Sequence, residues 1–163
     1  GLMKFLYEAK KKNYKLPVSI QNVYNLINRT FDISLSEISM RENCGLLAYS
    51  PLASGRLSGK YLKKKKPKNS RFILWPGRFN RHFTKKGEIA IKKYIKLSSK
   101  FNIDPILLAH AFVLSRPFVT SSIMGVSKLD QLKRNIKSLN IIIKDEIFEN
   151  INKIHNEDRN PCV

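Results

Sequence analysis

The sequence predicts an α/β chain of parallel strand–helix–strand units, and three observations carry that prediction. Short apolar or β-branched runs at 18–22, 46–49 and 119–124 alternate with helical patterns, which favours parallel pairing. Hydrophobic residues make up 42% and charged residues 26% of the 163 residues, a globular composition with enough chain for a real core. The central run, Leu46 to Tyr49, is apolar without interruption and reads as a buried strand. Three strands are few for a complete parallel sheet, which needs cover on both faces and neighbours at both edges. The chain is therefore expected to be part of a larger fold.

The elements follow in order. Leu2 to Asn13 is predicted as an amphipathic helix with Leu2, Phe5, Leu6 and Ala9 on its buried stripe. Lys10, Lys11 and Lys12 suit the negative end of its dipole. Val18 and Ile20 alternate with Ser19 and Gln21, giving a short strand over Pro17 to Asn22. Asn22 to Arg29 reads as an irregular turn. Ser34, Leu35, Ser36 and Glu37 form a capping-box pattern, so a helix is expected from Leu35 to Asn43, stopped by Gly45. Residues 51–84 are expected as a long connection, with Lys63 to Asn69 solvated and mobile. In Arg71 to Phe83, Phe72, Leu74, Trp75 and Phe79 alternate with Arg71, Arg78 and Arg81, as in a loop that packs on something.

Thr84 caps a helix expected to reach Phe101, with Tyr94, Leu97 and Phe101 on the buried side. Asp104 before Pro105 is a strong helix start, and that helix is expected to reach Arg116. Val119 to Met124 is the third strand. Ser127 with Asp130 is expected to cap the next helix, whose apolar face is Leu129, Leu132, Ile136 and Leu139. Residues 144–155 form the last helix through Ile147, Phe148, Ile151 and Ile154, and 156–163 a polar, loose tail.

The stretch Leu46 to Tyr61 is the most informative. Pro51 ends the strand because it has no N–H for a ladder. Ala53, Ser54, Gly55, Ser58 and Gly59 then let backbone N–H groups approach a ligand, as in anion-binding nests. Arg56 and Lys60 place positive charge beside them. These residues fit a phosphate site at the C-terminal end of a strand, and equally a surface turn with ordinary cations.

Composition excludes several classes. The formal net charge is +19, which by itself points to nucleic acid or an anionic surface. Yet Lys10 to Lys12, Lys63 to Lys66, Lys85-Lys86 and Lys92-Lys93 lack the interleaved aromatics of a stacking platform, so compositional drift is the stronger reading. No apolar run approaches the roughly 18 residues of a membrane helix, and no signal peptide opens the chain. Cys44 and Cys162 have no metal-type spacing, which favours a reduced cytoplasmic protein. The chain starts Gly1-Leu2-Met3 inside a helical pattern, so either something precedes it or Met3 is a start.

Three strand ends carry a resemblance: Ser19-Ile20-Gln21-Asn22, Ala48-Tyr49-Ser50-Pro51-Leu52, and Met124-Gly125-Val126-Ser127 followed by Asp130-Gln131-Leu132 and Asn135. Together they resemble the aldo-keto reductase family, nearest to its Tas-like branch, related to the potassium-channel β subunits, and the match runs from Leu2 to His155. The resemblance implies a partial TIM (β/α)8 barrel, with residues 1–163 as its C-terminal half: strands six to eight with their helices, a cofactor-side loop at 51–84 and the tail at 156–163. It implies NADPH as cofactor. Gln21 matches the glutamine that bonds the nicotinamide carboxamide, and Tyr49 the aromatic that stacks under the nicotinamide ring. Ser50, Leu52 and Gly55 match the pyrophosphate loop, with Lys60 close by, and Arg71 looks like the cofactor-clamping arginine. Gly125, Ser127, Gln131 and Asn135 match the motif at the adenosine end, where Lys128 stands ready for a 2′-phosphate.

The resemblance also implies what is missing. The family's Asp, Tyr, Lys and His tetrad has no match in these residues, nor has its Ser-Asn pair after the fifth strand. Tyr24, Tyr61 and Tyr94 lie outside that motif, and His82, His110 and His155 receive no role. The expected function is the cofactor-binding half of an oxidoreductase that reduces aldehyde or ketone carbonyls to alcohols, inactive alone and poorly soluble without an N-terminal partner. The alternative is a non-catalytic remnant or a basic nucleic-acid-binding protein.

Overall fold

Each of the three runs becomes a five-residue strand: β1 (Ser19–Val23), β2 (Gly45–Tyr49) and β3 (Val119–Ile123). The computed structural model describes residues 1–62, 67, 70–77 and 82–162, with Arg71 and Phe72 described by backbone alone. The strands form one parallel sheet in the order β1-β2-β3, with the apolar run in the middle. Ser19 to Val23 pair in step with Gly45 to Tyr49. On the other side Leu46 pairs with Val119, and after an irregularity Leu47 pairs with Ser121 and Tyr49 with Ile123. Gly45 is required at this seam, because a Cβ there would lie 1.8 Å from Thr120 Oγ1.

The helices are α1 (Leu2–Lys11), α2 (Leu35–Arg41), α3 (Arg71–Leu74), α4 (Lys85–Lys100), α5 (Pro105–Leu114), α6 (Leu129–Ile136) and α7 (Asp145–Glu157). Two starts form as their sequences dictate: Thr84 Oγ1 accepts from Gly87 N at 2.8 Å and Asp104 Oδ1 from Ile106 N at 2.8 Å. α5 is apolar on every side, and Leu108 through Val113 are all buried. Such a helix belongs at the centre, and it packs against β3, α4 and α6. α4 and α7 are laced by the pairs Lys86–Asp158, Lys93–Glu157 and Lys100–Glu146. These are exposed and individually contribute little.

The most buried connection is the one read as an irregular turn. Tyr24, Asn25, Leu26, Ile27, Asn28 and Arg29 are all buried, and the turn closes through paired backbone bonds between Asn25 and Asn28 at 3.0 and 3.1 Å. The Tyr24 ring stacks on Phe112 at 5.8 Å and meets Phe118 edge-on at 5.3 Å. Arg29, 7% exposed, donates Nε–H to Asp32 Oδ2 at 2.8 Å, Nη1–H to Asn152 Oδ1 at 2.9 Å and its backbone N–H to Asn160 Oδ1 at 2.6 Å.

Several expectations are corrected. The capping box does not form: Ser34 takes φ +63° without a side-chain cap, Ser36 Oγ donates to Asp32 O, and Glu37 pairs with Arg41. Phe5 is 59% exposed, since Leu6 and Ala9 alone face inward firmly. The tail is held by Asn160 on Arg29 and by Thr84 Oγ1 donating to Pro161 O at 2.8 Å. The apolar face of α6 is turned outward, with Leu129 63%, Ile136 50% and, just beyond, Leu139 68% exposed, because no described element covers it. Asn135 and Ser138 are turned inward instead. The Lys63 to Asn69 expectation falls outside the described residues but for Pro67, and Arg78, Phe79 and Arg81 lie wholly outside them.

His110 is fully buried, and neither ring nitrogen has a hydrogen-bond partner among the described residues. Burial pushes its imidazole down from 6.5 to about 4. Below pH 6.5 the unfolded chain takes up a proton that the folded chain refuses until about pH 4. This stability is complete above pH 6.5 and is lost as pH falls toward 4, by on the order of 3 kcal/mol. His155, held down to about 4 by burial and then by Arg29, steepens the same slope. His110→Leu is expected to flatten the acid slope in urea unfolding, and an unchanged slope refutes the assignment. Gly45→Ala is expected to cost about 1–3 kcal/mol through overpacking against Thr120. The double variant with Thr120→Ala should recover part of the loss in the same melts; no recovery means that another contact is responsible.

Candidate functional site

The strands end level: Val23 pairs with Tyr49, and Tyr49 with Ile123. Parallel strands put their C-terminal ends on one side, so the loops 24–29, 50–60 and 124–128 leave from a common rim. Alternation sorts the side chains by face. Leu46 and Ala48 turn to the helices and are fully buried. Leu47 and Tyr49 turn the other way, with Gln21, Val23, Ser121 and Ile123. This second face is open: Gln21, Ser121 and Ile123 are exposed, and Val23, Leu47 and Tyr49 are half-buried. Gln21 pairs with Leu47, so it shares Tyr49's face one pleat below the rim on the neighbouring strand.

The loop after Tyr49 is tightly wound. Ser50, Ala53, Ser54 and Gly55 all take positive φ, at 57°, 47°, 58° and 86°. Only glycine does so freely, so three of these four residues carry strain. Turn bonds stabilise the winding: Ala53 N donates to Ser50 O, Gly55 N and Leu57 N to Leu52 O, Arg56 N to Ala53 O and Gly59 N to Arg56 O. These N–H groups are thus spent inside the loop, which, of the two readings the residues allowed, favours the turn over the open nest. What the loop offers outward is side chains. Lys60 is exposed and folds over Gly55, where a Cβ would lie 3.2 Å from its Nζ. Arg56 goes the other way: it is 5% exposed, and its guanidinium lies 4.2 Å above the centre of the Phe83 ring. Burial lowers its pKa, and the aromatic face compensates part of the lost hydration. Of the two cations expected beside the loop, Lys60 alone stays on its surface.

After β3, Gly125, Ser127, Lys128 and Gln131 are exposed at the rim. Ser127 does not cap α6: the cap position is Lys128, which makes no side-chain cap bond. Ser127 N and Oγ instead meet Gln131 Oε1 at 3.1 and 3.4 Å, so Gln131 braces the turn. Asn135 stands apart, 5% exposed on the inner side of α6. Leu52 packs against the core. Arg71 opens α3, and its side chain lies outside the described residues. The structure therefore gathers Gln21 and Tyr49 on the open face, Ser50, Gly55 and Lys60 at the end of β2, and Gly125, Ser127, Lys128 and Gln131 at the end of β3. It places Leu52 and Asn135 beneath that surface.

Tyr24 Oη donates to Asp32 Oδ1 at 2.7 Å, and burial, then Asp32, drives its pKa far upward. Burial does the same to Tyr94. No cluster of His, Cys, Asp or Glu among the described residues is built to hold a metal ion. Sequence reasoning missed Asn25, which is fully buried and donates Nδ2–H to Ser50 O at 3.0 Å. The signal was present, since asparagine after a strand end commonly organises a turn through its own side chain.

A family model described as the aldo/keto reductase family matches residues 3–156. The chain is 39% identical over 155 residues to Protein tas of Escherichia coli (strain K12), covering 95% of this chain and 44% of that protein. It is 32% identical over 168 residues to an aldo-keto reductase of Babesia bovis, covering 99% of this chain and 59% of that one. It is also 32% identical over 155 residues to a putative voltage-gated potassium channel subunit beta of Schizosaccharomyces pombe, covering 91% and 45%. The chain spans about half the length of these curated relatives.

Proposed function

Because the chain belongs to the aldo/keto reductase family, we propose that it is the cofactor-holding, C-terminal half of an NADPH-dependent reductase that converts aldehyde or ketone carbonyls to alcohols. In this reading β1, β2 and β3 are strands six to eight of a (β/α)8 barrel, and the open sheet face is its lumen. One observation carries the proposal: Gln21 and Tyr49 share the open face beside three level strand ends. Ligands in such folds sit at the C-terminal ends of the strands.

The residues present fit the cofactor. Tyr49 offers a half-buried aromatic platform that would cover one face of a flat ring and leave the other to the substrate. Gln21, exposed on the adjacent strand, can both donate to and accept from a carboxamide. Ser50, Leu52 and Gly55 shape the loop beneath a pyrophosphate, and the Lys60 ammonium over Gly55 supplies charge for it. Arg71 is proposed as a further clamp. Gly125, Ser127 and Gln131 are proposed as the adenosine end, with Asn135 buried behind them on the inner side of α6, and Lys128 provides the cation that favours NADPH over NADH. When bound, NADPH supplies the hydride.

The carbonyl oxygen also needs a proton. Tyr24 is tied to Asp32, Tyr94 is buried, and His110 is enclosed and neutral. The family's Asp, Tyr, Lys and His are therefore proposed to lie in a companion N-terminal half. A reducing, cytoplasmic setting suits Cys44 and Cys162, both free thiols, and no described helix is long and apolar enough to cross a membrane. NADPH titration followed by intrinsic fluorescence is expected to saturate, and Tyr49→Ala to weaken binding about tenfold; equal binding by that variant refutes the platform. The chain alone is expected to leave NADPH absorbance unchanged in the presence of an aldehyde, and steady turnover would sink the half-enzyme reading.

A further inference from the structure

We infer that Asn25 is the positioning residue that sets the Tyr49 platform, by holding Ser50 in its left-handed conformation from the neighbouring strand's loop. The inference rests on the cofactor reading above for its functional consequence, and on geometry alone for its structural part. Asn25 is fully buried, and both ends of its amide are used. Its Nδ2 donates to Ser50 O at 3.0 Å, and its Oδ1 accepts from Ile27 N at 3.0 Å. The backbone beside it repeats the link, since Tyr24 N donates to Tyr49 O at 3.3 Å. Residues 24 and 25 therefore grip the two successive carbonyls at which β2 ends.

Ser50 needs that grip. It takes φ +57°, a conformation costly for a residue with a Cβ. It stands between the platform residue and Pro51, whose ring fixes its own φ. Ser50 O accepts a second bond, from Ala53 N at 2.9 Å, so one carbonyl anchors both the turn and the neighbouring loop. Without the Asn25 donor, Ser50 keeps its bond from Ala53 N but loses the cross-strand restraint that opposes relaxation toward negative φ. That rotation would re-aim the adjoining Tyr49 backbone and the 53–55 turn together. The grip is rigid because the 24–29 turn is itself buried and closed by the Asn25–Asn28 bonds.

Asn25→Asp keeps the acceptor for Ile27 N and removes the donor to Ser50 O. The probes are NADPH and adenosine 2′-monophosphate, which lacks both the nicotinamide and the pyrophosphate. The variant is expected to lose about tenfold in NADPH affinity and to hold adenosine 2′-monophosphate within about twofold. Equal weakening of both, or of neither, overturns the positioning role. The Ser50 13Cα and 13Cβ shifts give a readout that needs no cofactor: Asn25→Asp is expected to erase the left-handed signature while residues 129–136 keep theirs. A retained signature overturns the inference whatever the binding result. If the unaltered chain binds neither probe but Ser50 responds as expected, the cofactor reading fails and the Asn25 grip stands. Should Asn25→Asp not fold, Ser50→Gly in the same chain is expected to restore folding, since glycine takes this φ without cost. Failure of that double variant overturns the inference.

Discussion

The hydrogen bonds of Arg29 are the constraint on which the rest of the structure depends. A cation 7% exposed must be matched, because an unpaired buried charge costs several kcal/mol. The guanidinium is matched by Asp32 in its own connection and Asn152 on α7, with the Phe112 ring of α5 at 5.3 Å, while the Arg29 backbone N–H donates to Asn160 in the tail. The chain's last residues are thereby fastened to the turn that follows its first strand. That turn carries Tyr24 into the aromatic core and Asn25 to the end of β2, so the packing of α5 and α7 reaches the rim through a few fully buried residues.

The sheet has one finished face and one unfinished face. Under the helices, Leu46 and Ala48 are buried in the core cluster. On the other side Gln21, Ser121 and Ile123 are exposed; on α6, which packs beside α5, and just beyond it, Leu129, Ile136, Leu139 and Ile142 are exposed as well. Exposed apolar surface on this scale marks a contact surface. It agrees with a chain that spans about half the length of its relatives and with the proposal that a companion half closes the barrel over the same face that holds Tyr49.

Much of the fold was legible because it rests on local rules. Thr84 and the Asp104-Pro105 pair mark helix starts that form as written, and Pro51 ends β2. Other local signals lost to tertiary context. The capping-box residues Ser34 and Glu37 were overruled: Ser34 took φ +63° and Glu37 paired with Arg41. The apolar stripe of α6 predicted burial, but periodicity reports which face is apolar and not whether a neighbour exists to cover it. Arg56 read as a ligand-facing cation and turned to Phe83, a partner twenty-seven positions away that no local pattern announces.

The sequence by itself determined the strands, their alternation with helices and the family, because these rest on side-chain period, turn chemistry and motif spacing along one chain. Tertiary structure alone decided which way each loop residue points. Register set Gln21 and Tyr49 on one face, long-range hydrogen bonds pinned the tail and Ser50, and the lack of a covering element among the described residues left α6 outward. Those outcomes depend on contacts between residues far apart in the chain, and such contacts exist only once the backbone has folded.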